Sequence, residues 1–250
     1  MQKTVEFSVD GQKLVGDLHL PDEFKPPFPC VVLSHGYMSN RSGEKHVQMG
    51  YRFPLQGIAV LRFDHRGAIN GESSGKFEDT TLTGRVADLA AALGYLKRVK
   101  EIDGSRIGLL GSSMGGMTIL ALPENQSIKA IVLLSTPTAF PPMNAEDRES
   151  LAKLGYYQYP DGTGIKKAFF DDLTRYDLRE EVKKVHCPLL IVHGDVDEVV
   201  PRHQAFMLYQ NANQTKQLTL IPVGDHSFSS TETMNEVLAL ALDWFKKYLF

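Results

Sequence analysis

The chain has 250 residues, 42% of them hydrophobic and 23% charged, a balance that suits one large globular core. Its longest uninterrupted apolar run is Val237–Leu242, far short of the roughly 18 residues that a membrane-spanning helix needs. With 27 Lys and Arg against 30 Asp and Glu, the formal charge of −3 gives no basis for the phosphate attraction on which nucleic-acid binding depends.

Residues 3–9 and 13–20 alternate apolar and polar side chains around Asp10-Gly11, the signal of an antiparallel hairpin. The same alternation, with no basic start followed by an apolar stretch, is unlike a secretory signal and leads us to expect a cytoplasmic protein. In that setting the Asn-x-Ser/Thr triplets at Asn40, Asn125 and Asn213 read as chance. Short β-branched and aliphatic runs follow at 30–34, 58–63, 106–110, 129–135, 187–193 and 217–221, separated by segments of helical period. This pattern predicts a mostly parallel, eight-stranded α/β sheet with helices on both faces. Leu82, Val86, Leu89, Leu93 and Leu96 form one helical stripe, and Met234, Val237, Leu238, Ala241, Phe245 and Leu249 form another. Cys30 and Cys187 each precede a very apolar run and read as structural thiols in a reducing compartment.

Residues 136–186 break the alternation. They carry clustered prolines (Pro137, Pro141, Pro142), several aromatics and no strand signal, where a connection in an α/β unit is usually about 2–6 residues. We read them as an inserted cap without its own fold, on a core formed by 1–135 and 187–250. Tyr156, Tyr157, Tyr159, Phe169 and Phe170 are candidates for lining a substrate pocket. The competing reading is a satellite cluster that buries its own rings.

The most specific feature is Gly111-Ser112-Ser113-Met114-Gly115-Gly116, set between a strand-like run and a helical one, the context a G-x-S-x-G elbow requires. A serine on so tight a turn has strained backbone angles, and glycines two residues to either side let strand and helix approach. Ser113 is thus a candidate nucleophile, with the Met114 amide at a helix start facing a developing oxyanion. A serine hydroxyl needs a base and a group to orient that base. His226 lies in a loop after the last strand-like run, and Asp195 and Asp197 follow the run that ends at His193. All these segments fall at strand carboxyl ends, where open α/β sheets bind ligands. Residue types alone do not choose between the two aspartates. Gly36, after the strand ending at Ser34, lets the chain bend so that the Tyr37 amide becomes a second oxyanion donor.

With these pieces in place the chain resembles the α/β-hydrolase superfamily of serine hydrolases over nearly its full length. The shared features are His35-Gly36, Asp64-x-Arg66-Gly67, the serine elbow, the inserted cap, His193-Gly194-x-x-Asp197 and Gly224-x-His226. Within that superfamily it is similar to bacterial feruloyl/cinnamoyl esterases and to aminopeptidase-like serine hydrolases, which share text like Gly75-Lys76-Phe77-Glu78-Asp79. The resemblance implies a triad of Ser113, Asp197 and His226 in the superfamily's chain order, with Tyr37 and Met114 as oxyanion donors. It also singles out Asp197 as the orienting acid and leaves Asp195 to hydrogen-bond loop backbone. Two departures stand out: Ala68-Ile69-Asn70 adds residues near the mouth of the expected pocket, and Ser112 stands where many esterases have His.

The remaining histidines read as structural. His35 and His193 are hydrogen-bonding groups at strand ends, His65 belongs to a loop held by the Asp64 and Arg66 charges, and His19, His46, His186 and His203 are surface residues. Asp225 is expected to be solvated. No His-Glu-x-x-His or cysteine-rich motif suggests a metal, and no glycine-rich phosphate loop suggests a nucleotide. The expected activity is hydrolysis of a small-molecule carboxylic ester, feruloyl/cinnamoyl or short-chain acyl, with no cofactor. A serine peptidase or acyl-peptide hydrolase would instead use acids such as Asp171 and Asp172 to hold an amino terminus. A ligand-binding protein that kept the fold without activity is the third reading. The sequence leaves the oligomeric state open and is compatible with a homodimer.

Overall fold

The computed structural model describes residues 1–123, 128–141 and 143–250; the triplet at Asn125 and Pro142 lie outside the described residues. The chain begins with β1 (Gln2–Val9) and β2 (Gln12–His19), an antiparallel pair. Asp10 at φ 51° and Gly11 at φ 73° make the two-residue turn between them, both in the left-handed region that a type I′ hairpin needs. Then come β3 (Phe28–Ser34), α1 (Glu44–Arg52), β4 (Ala59–Phe63), α2 (Leu82–Leu96), β5 (Ile102–Ser112), α3 (Met114–Leu120) and β6 (Ile128–Leu134). After an insert the chain returns through β9 (Leu189–Gly194), α7 (His203–Asn211), β10 (Lys216–Ile221) and α8 (Thr231–Leu249).

These strands form one eight-stranded sheet in the order β1-β2-β4-β3-β5-β6-β9-β10, in which every pair from β4 to β10 is parallel. All seven residues of β3 are buried, which is what a strand covered on both faces requires. Alternate side chains feed two cores. Val32, Leu61, Leu109 and Ile191 pack with α2, α3 and α7 on one face. Val31, Val60, Leu110 and Val192 pack with α1 and α8 on the other. Both helical stripes read from the sequence face the sheet, except that Val86 is only partly buried and Arg85 and Asp88 share the inward face of α2.

The insert is more ordered than its sequence suggests. It holds α4 (Ala145–Leu154), a two-stranded hairpin of β7 (Tyr156–Gln158) and β8 (Gly164–Lys166), α5 (Lys167–Leu173) and α6 (Leu178–Glu181). The hairpin corrects the expectation of no strand here: three-residue strands carry too little alternation to register. Asp172 docks α5 on α2, accepting from the Thr83 amide at 2.8 Å and hydroxyl at 2.6 Å.

Cys30 and Cys187 are free thiols. Cys30 lies on β3 and Cys187 just before β9, three places apart in the sheet, so neighbouring-strand spacing puts them roughly 14 Å from each other. Among the described residues no helix is long and apolar enough to cross a membrane.

Phe245 of α8 is fully buried, 6.2 Å from the Phe53 ring and filling the space over Gly108. Phe245→Ala should therefore destabilise the fold by about 3–5 kcal/mol, read as a shift in the urea-unfolding midpoint. A loss below about 1 kcal/mol would mean that this core is not packed as described.

Candidate functional site

The elbow is built where three backbones crowd together. Ser113 has φ 52° and ψ −120°, a strained conformation for a residue with a side chain. Its amide donates to the Leu134 carbonyl of β6 at 2.8 Å, which anchors the turn to the sheet. A Cβ on Gly115 would lie 1.9 Å from the Ser34 carbonyl oxygen, and one on Gly111 would lie 2.5 Å from the Gly116 nitrogen. Only glycine fits either position, so the expected steric role of both is met.

The base and acid are brought together by two loops zipped along their backbones. Asp195 donates its amide to the Ile221 carbonyl and Val196 to the Gly224 carbonyl, both at 3.1 Å. This places Asp197 beside His226, whose Nδ1 donates to the carboxylate at 2.9 and 3.0 Å. With Nδ1 carrying the proton, Nε2 keeps a lone pair. The Asp197 carboxylate is fully buried and also accepts from the Val199 and Val200 amides at 2.9 and 2.8 Å. Burial pushes its pKa up, but the His226 bond and charge and these two amides outweigh that and hold it below the usual carboxylate range.

Asp195 behaves differently from expectation: its Oδ1 is buried without a partner, and it is Asp197 that takes the loop amides. Asp225, the neighbour of His226, turns away to the Ser229 amide at 2.8 Å.

Ser113 and His226 line one cavity of about 310 Å³, together with Gly36, Tyr37, Lys45 and Ser112. No direct hydrogen bond joins them, and bonds of this kind often tighten only in the substrate complex. The Tyr37 and Met114 amides, one in the turn after β3 and one at the start of α3, donate to no group of the described residues.

Arg85 ties these two segments together. Buried on the inward face of α2, it donates to the His35 carbonyl and, at 3.2 Å, to Thr118 Oγ1, whose hydroxyl in turn donates to the Met114 carbonyl at 2.9 Å. Burial lowers its pKa to about 10, against the Asp88 charge. The sequence carried a signal for Arg85, a charged residue in phase with the Leu82–Leu89 stripe.

None of Tyr156, Tyr157, Tyr159, Phe169 and Phe170 lines the Ser113 cavity, while Phe170 lines a second cavity of about 410 Å³ with Phe140 and Tyr176. Tyr157, Tyr159, Phe169 and Phe170 form a ring cluster with Phe140. Phe169 is fully buried and stacks on Tyr37 with centroids 5.2 Å apart, and the Tyr159 and Tyr37 hydroxyls lie 3.2 Å apart. Their contact with the site runs through Tyr37. Ala68, Ile69 and Asn70 also stay out of the cavity, with the Ile69 carbonyl accepting from Asn40 Nδ2 at 2.9 Å.

Of the histidines read as surface residues, His186 and His203 are exposed but His19 and His46 are buried. His19 accepts from Arg62 Nε at 2.9 Å, and burial, with the Arg62 charge, lowers its pKa to about 4. His35 and His193 make the expected backbone bonds, Nδ1 to the Gly36 carbonyl at 2.8 Å and Nε2 to the Val200 carbonyl at 2.7 Å. The loop of Asp64, His65 and Arg66 is held by more partners than its own charges. Asp64 pairs with Arg41, Arg66 Nε with Asp88 at 2.6 Å, and His65 Nε2 with Ser34 Oγ at 2.9 Å.

The prolyl oligopeptidase family, Peptidase_S9, matches residues 49–250. The chain belongs to that family. This family member is 30% identical over 233 residues to the uncharacterized protein YfhR of Salmonella typhi, covering 87% of this chain and 71% of YfhR. Among solved structures it is similar to Est1E from Butyrivibrio proteoclasticus with ferulic acid bound, at a TM-score of 0.87, 25% identity and 98% coverage of both chains. It is also similar to the esterase domain of a Rhodothermus marinus protein, at a TM-score of 0.76, 25% identity and 100% coverage of both. The fold is that of an α/β-hydrolase, and the protein is a hydrolase.

Because a Gly115 Cβ would overlap the Ser34 carbonyl, Gly115→Ala should cost more than about 4 kcal/mol or prevent folding. Thermal unfolding with a near-native midpoint would show that the elbow is looser than described.

Proposed function

We propose that the protein hydrolyses carboxylic esters through an acyl-enzyme on Ser113. The observation that carries this reading is the strained Ser113 in one cavity with His226, whose imidazole is held by the buried Asp197. In the proposed cycle His226 Nε2 takes the Ser113 proton as Oγ attacks the ester carbonyl, then gives it to the departing alcohol. Asp197 fixes the imidazole tautomer and stabilises the imidazolium. The Tyr37 and Met114 amides receive the oxyanion, each donor being worth about 3 kcal/mol in such sites. Water then repeats the sequence on the acyl-enzyme. The likeness to two esterase structures supports an ester substrate.

Family membership raises peptide hydrolysis as a second reading. The acids that would hold an amino terminus are engaged elsewhere: Asp171 pairs with Lys167, Asp172 holds Thr83, and neither lines the Ser113 cavity. An exposed carboxylate, Glu44, and an ammonium, Lys45, both line it, and the Lys45 charge repels an amino terminus. A nitrophenyl acyl ester should be turned over well and an aminoacyl anilide poorly, and the opposite preference would replace the ester reading with the peptidase one.

The two acids make a sharper test. Asp197→Asn keeps the shape but favours the wrong imidazole tautomer, a defect of about 10⁴-fold in kcat in the best-studied serine triad. Asp195→Asn, which touches no partner of His226, should cost less than about tenfold. Measuring kcat for both on one activated ester decides the assignment, and the reverse ranking rejects it.

A further inference from the structure

The wall of the Ser113 cavity carries a charge that the proposed chemistry does not use. Lys45 lines the cavity from the first turn of α1, with its Nζ donating to Ser112 Oγ at 3.0 Å. That places the ammonium one residue along the chain from the candidate nucleophile. An ammonium has three donors, and no carboxylate of the described residues forms an ion pair with this one. Its other contact is the Phe228 ring, 5.3 Å from Nζ to the centroid.

Burial lowers the Lys45 pKa to about 8, with the Asp225 and Asp197 charges acting at longer range against that fall. Holding a cation in so enclosed a place without a counter-ion is costly, and a ligand that supplies the counter-ion removes the cost. One further observation at the same wall points the same way. The Gly43 end of α1 has no side-chain cap, and the Glu44 and Lys45 amides donate to no group of the described residues, which leaves an anion-attracting helix start at the cavity, whose rim also carries the exposed Glu44 carboxylate.

Resting on the ester-hydrolase reading, we infer that Lys45 and the α1 amides form an anion subsite, and that the preferred substrate is an ester bearing a free carboxylate a few bonds from its scissile carbonyl. The span is short because Ser112 and Ser113 are adjacent and consecutive Cα atoms are only about 3.8 Å apart. A cavity of about 310 Å³ suits a small molecule of this kind. The carboxylate can sit on either side of the ester: a monoester of a short dicarboxylic acid carries it on the acyl side, an ester of a hydroxy acid on the alcohol side.

Binding can be measured apart from turnover in Ser113→Ala protein. Ligand-observed NMR titrations would compare monomethyl glutarate with methyl valerate, and butyryl glycolate with propyl butyrate. At least one charged ligand should bind roughly 10–100-fold more tightly than its neutral partner, the range for a hydrogen bond between charged groups. Adding Lys45→Met should bring that ratio close to one. Equal affinities in Ser113→Ala protein, no binding of any ligand, or a preference that survives Lys45→Met each overturns the subsite, whether or not the methionine variant is stable. With Ser113 intact, kcat/KM should show the same charged-over-neutral ratio and lose it in Lys45→Met. Retained hydrolysis in Ser113→Ala would instead reject the nucleophile assignment and leave the binding result standing.

Discussion

The separation between α3 and the carboxyl ends of β3 and β5 controls the rest of the site. Strand and helix are joined by one strained residue, Ser113, and the backbones on either side are so close that Gly111 and Gly115 have no room for a Cβ. That contact lifts a hydroxyl above the sheet, leaves the Met114 amide at a fresh helix start, and holds the turn after β3 against the elbow. The strain is offset by core packing on both faces of the sheet, which is where a strained functional turn is normally stabilised.

Around that contact the protein spends charged groups in places where water is scarce. Arg85 clamps the His35 carbonyl and, through Thr118, the first turn of α3. Arg41 bridges Asp17, Asp64 and Glu72, and so fixes the loop after β4 to the loop after β3. These are satisfied charges with several partners each, the arrangement that makes burial tolerable. Lys45 differs from Arg41 in lacking a carboxylate partner, and it differs from both arginines in position, on the cavity wall. The insert's rings pack on Tyr37, whose amide is one of the two proposed oxyanion donors.

The parts of this structure that were legible in the sequence are those specified by local pattern. The Asp10-Gly11 turn has a single compatible geometry, β3 reads as buried because every residue in it is, and the elbow shows itself through glycine spacing after a strand. His226 and Asp197 were legible as residues at strand ends, although choosing Asp197 over Asp195 took a family resemblance. Properties that depend on distant partners were hidden. His19 looks like a surface histidine until Arg62 is placed against it, and His46 and Lys45 sit in a polar stretch whose first turn happens to face the cavity. The β7 and β8 hairpin is too short to alternate visibly. The cap aromatics were legible as a cluster, yet composition could not tell a self-burying cluster from a pocket lining, nor show that their partner is Tyr37, outside the insert.

The proposed mechanism requires one particular atom, Ser113 Oγ, to carry the acyl group. Reaction with an activated ester that deacylates slowly, followed by acid quenching and peptide mass spectrometry, locates that atom directly. The expected result is one acyl group per chain on the Ser113 side chain, formed at the rate of the initial burst of alcohol. Acylation of Ser112 or Lys45 instead, or steady turnover with no acylated peptide, would contradict the mechanism at its first step.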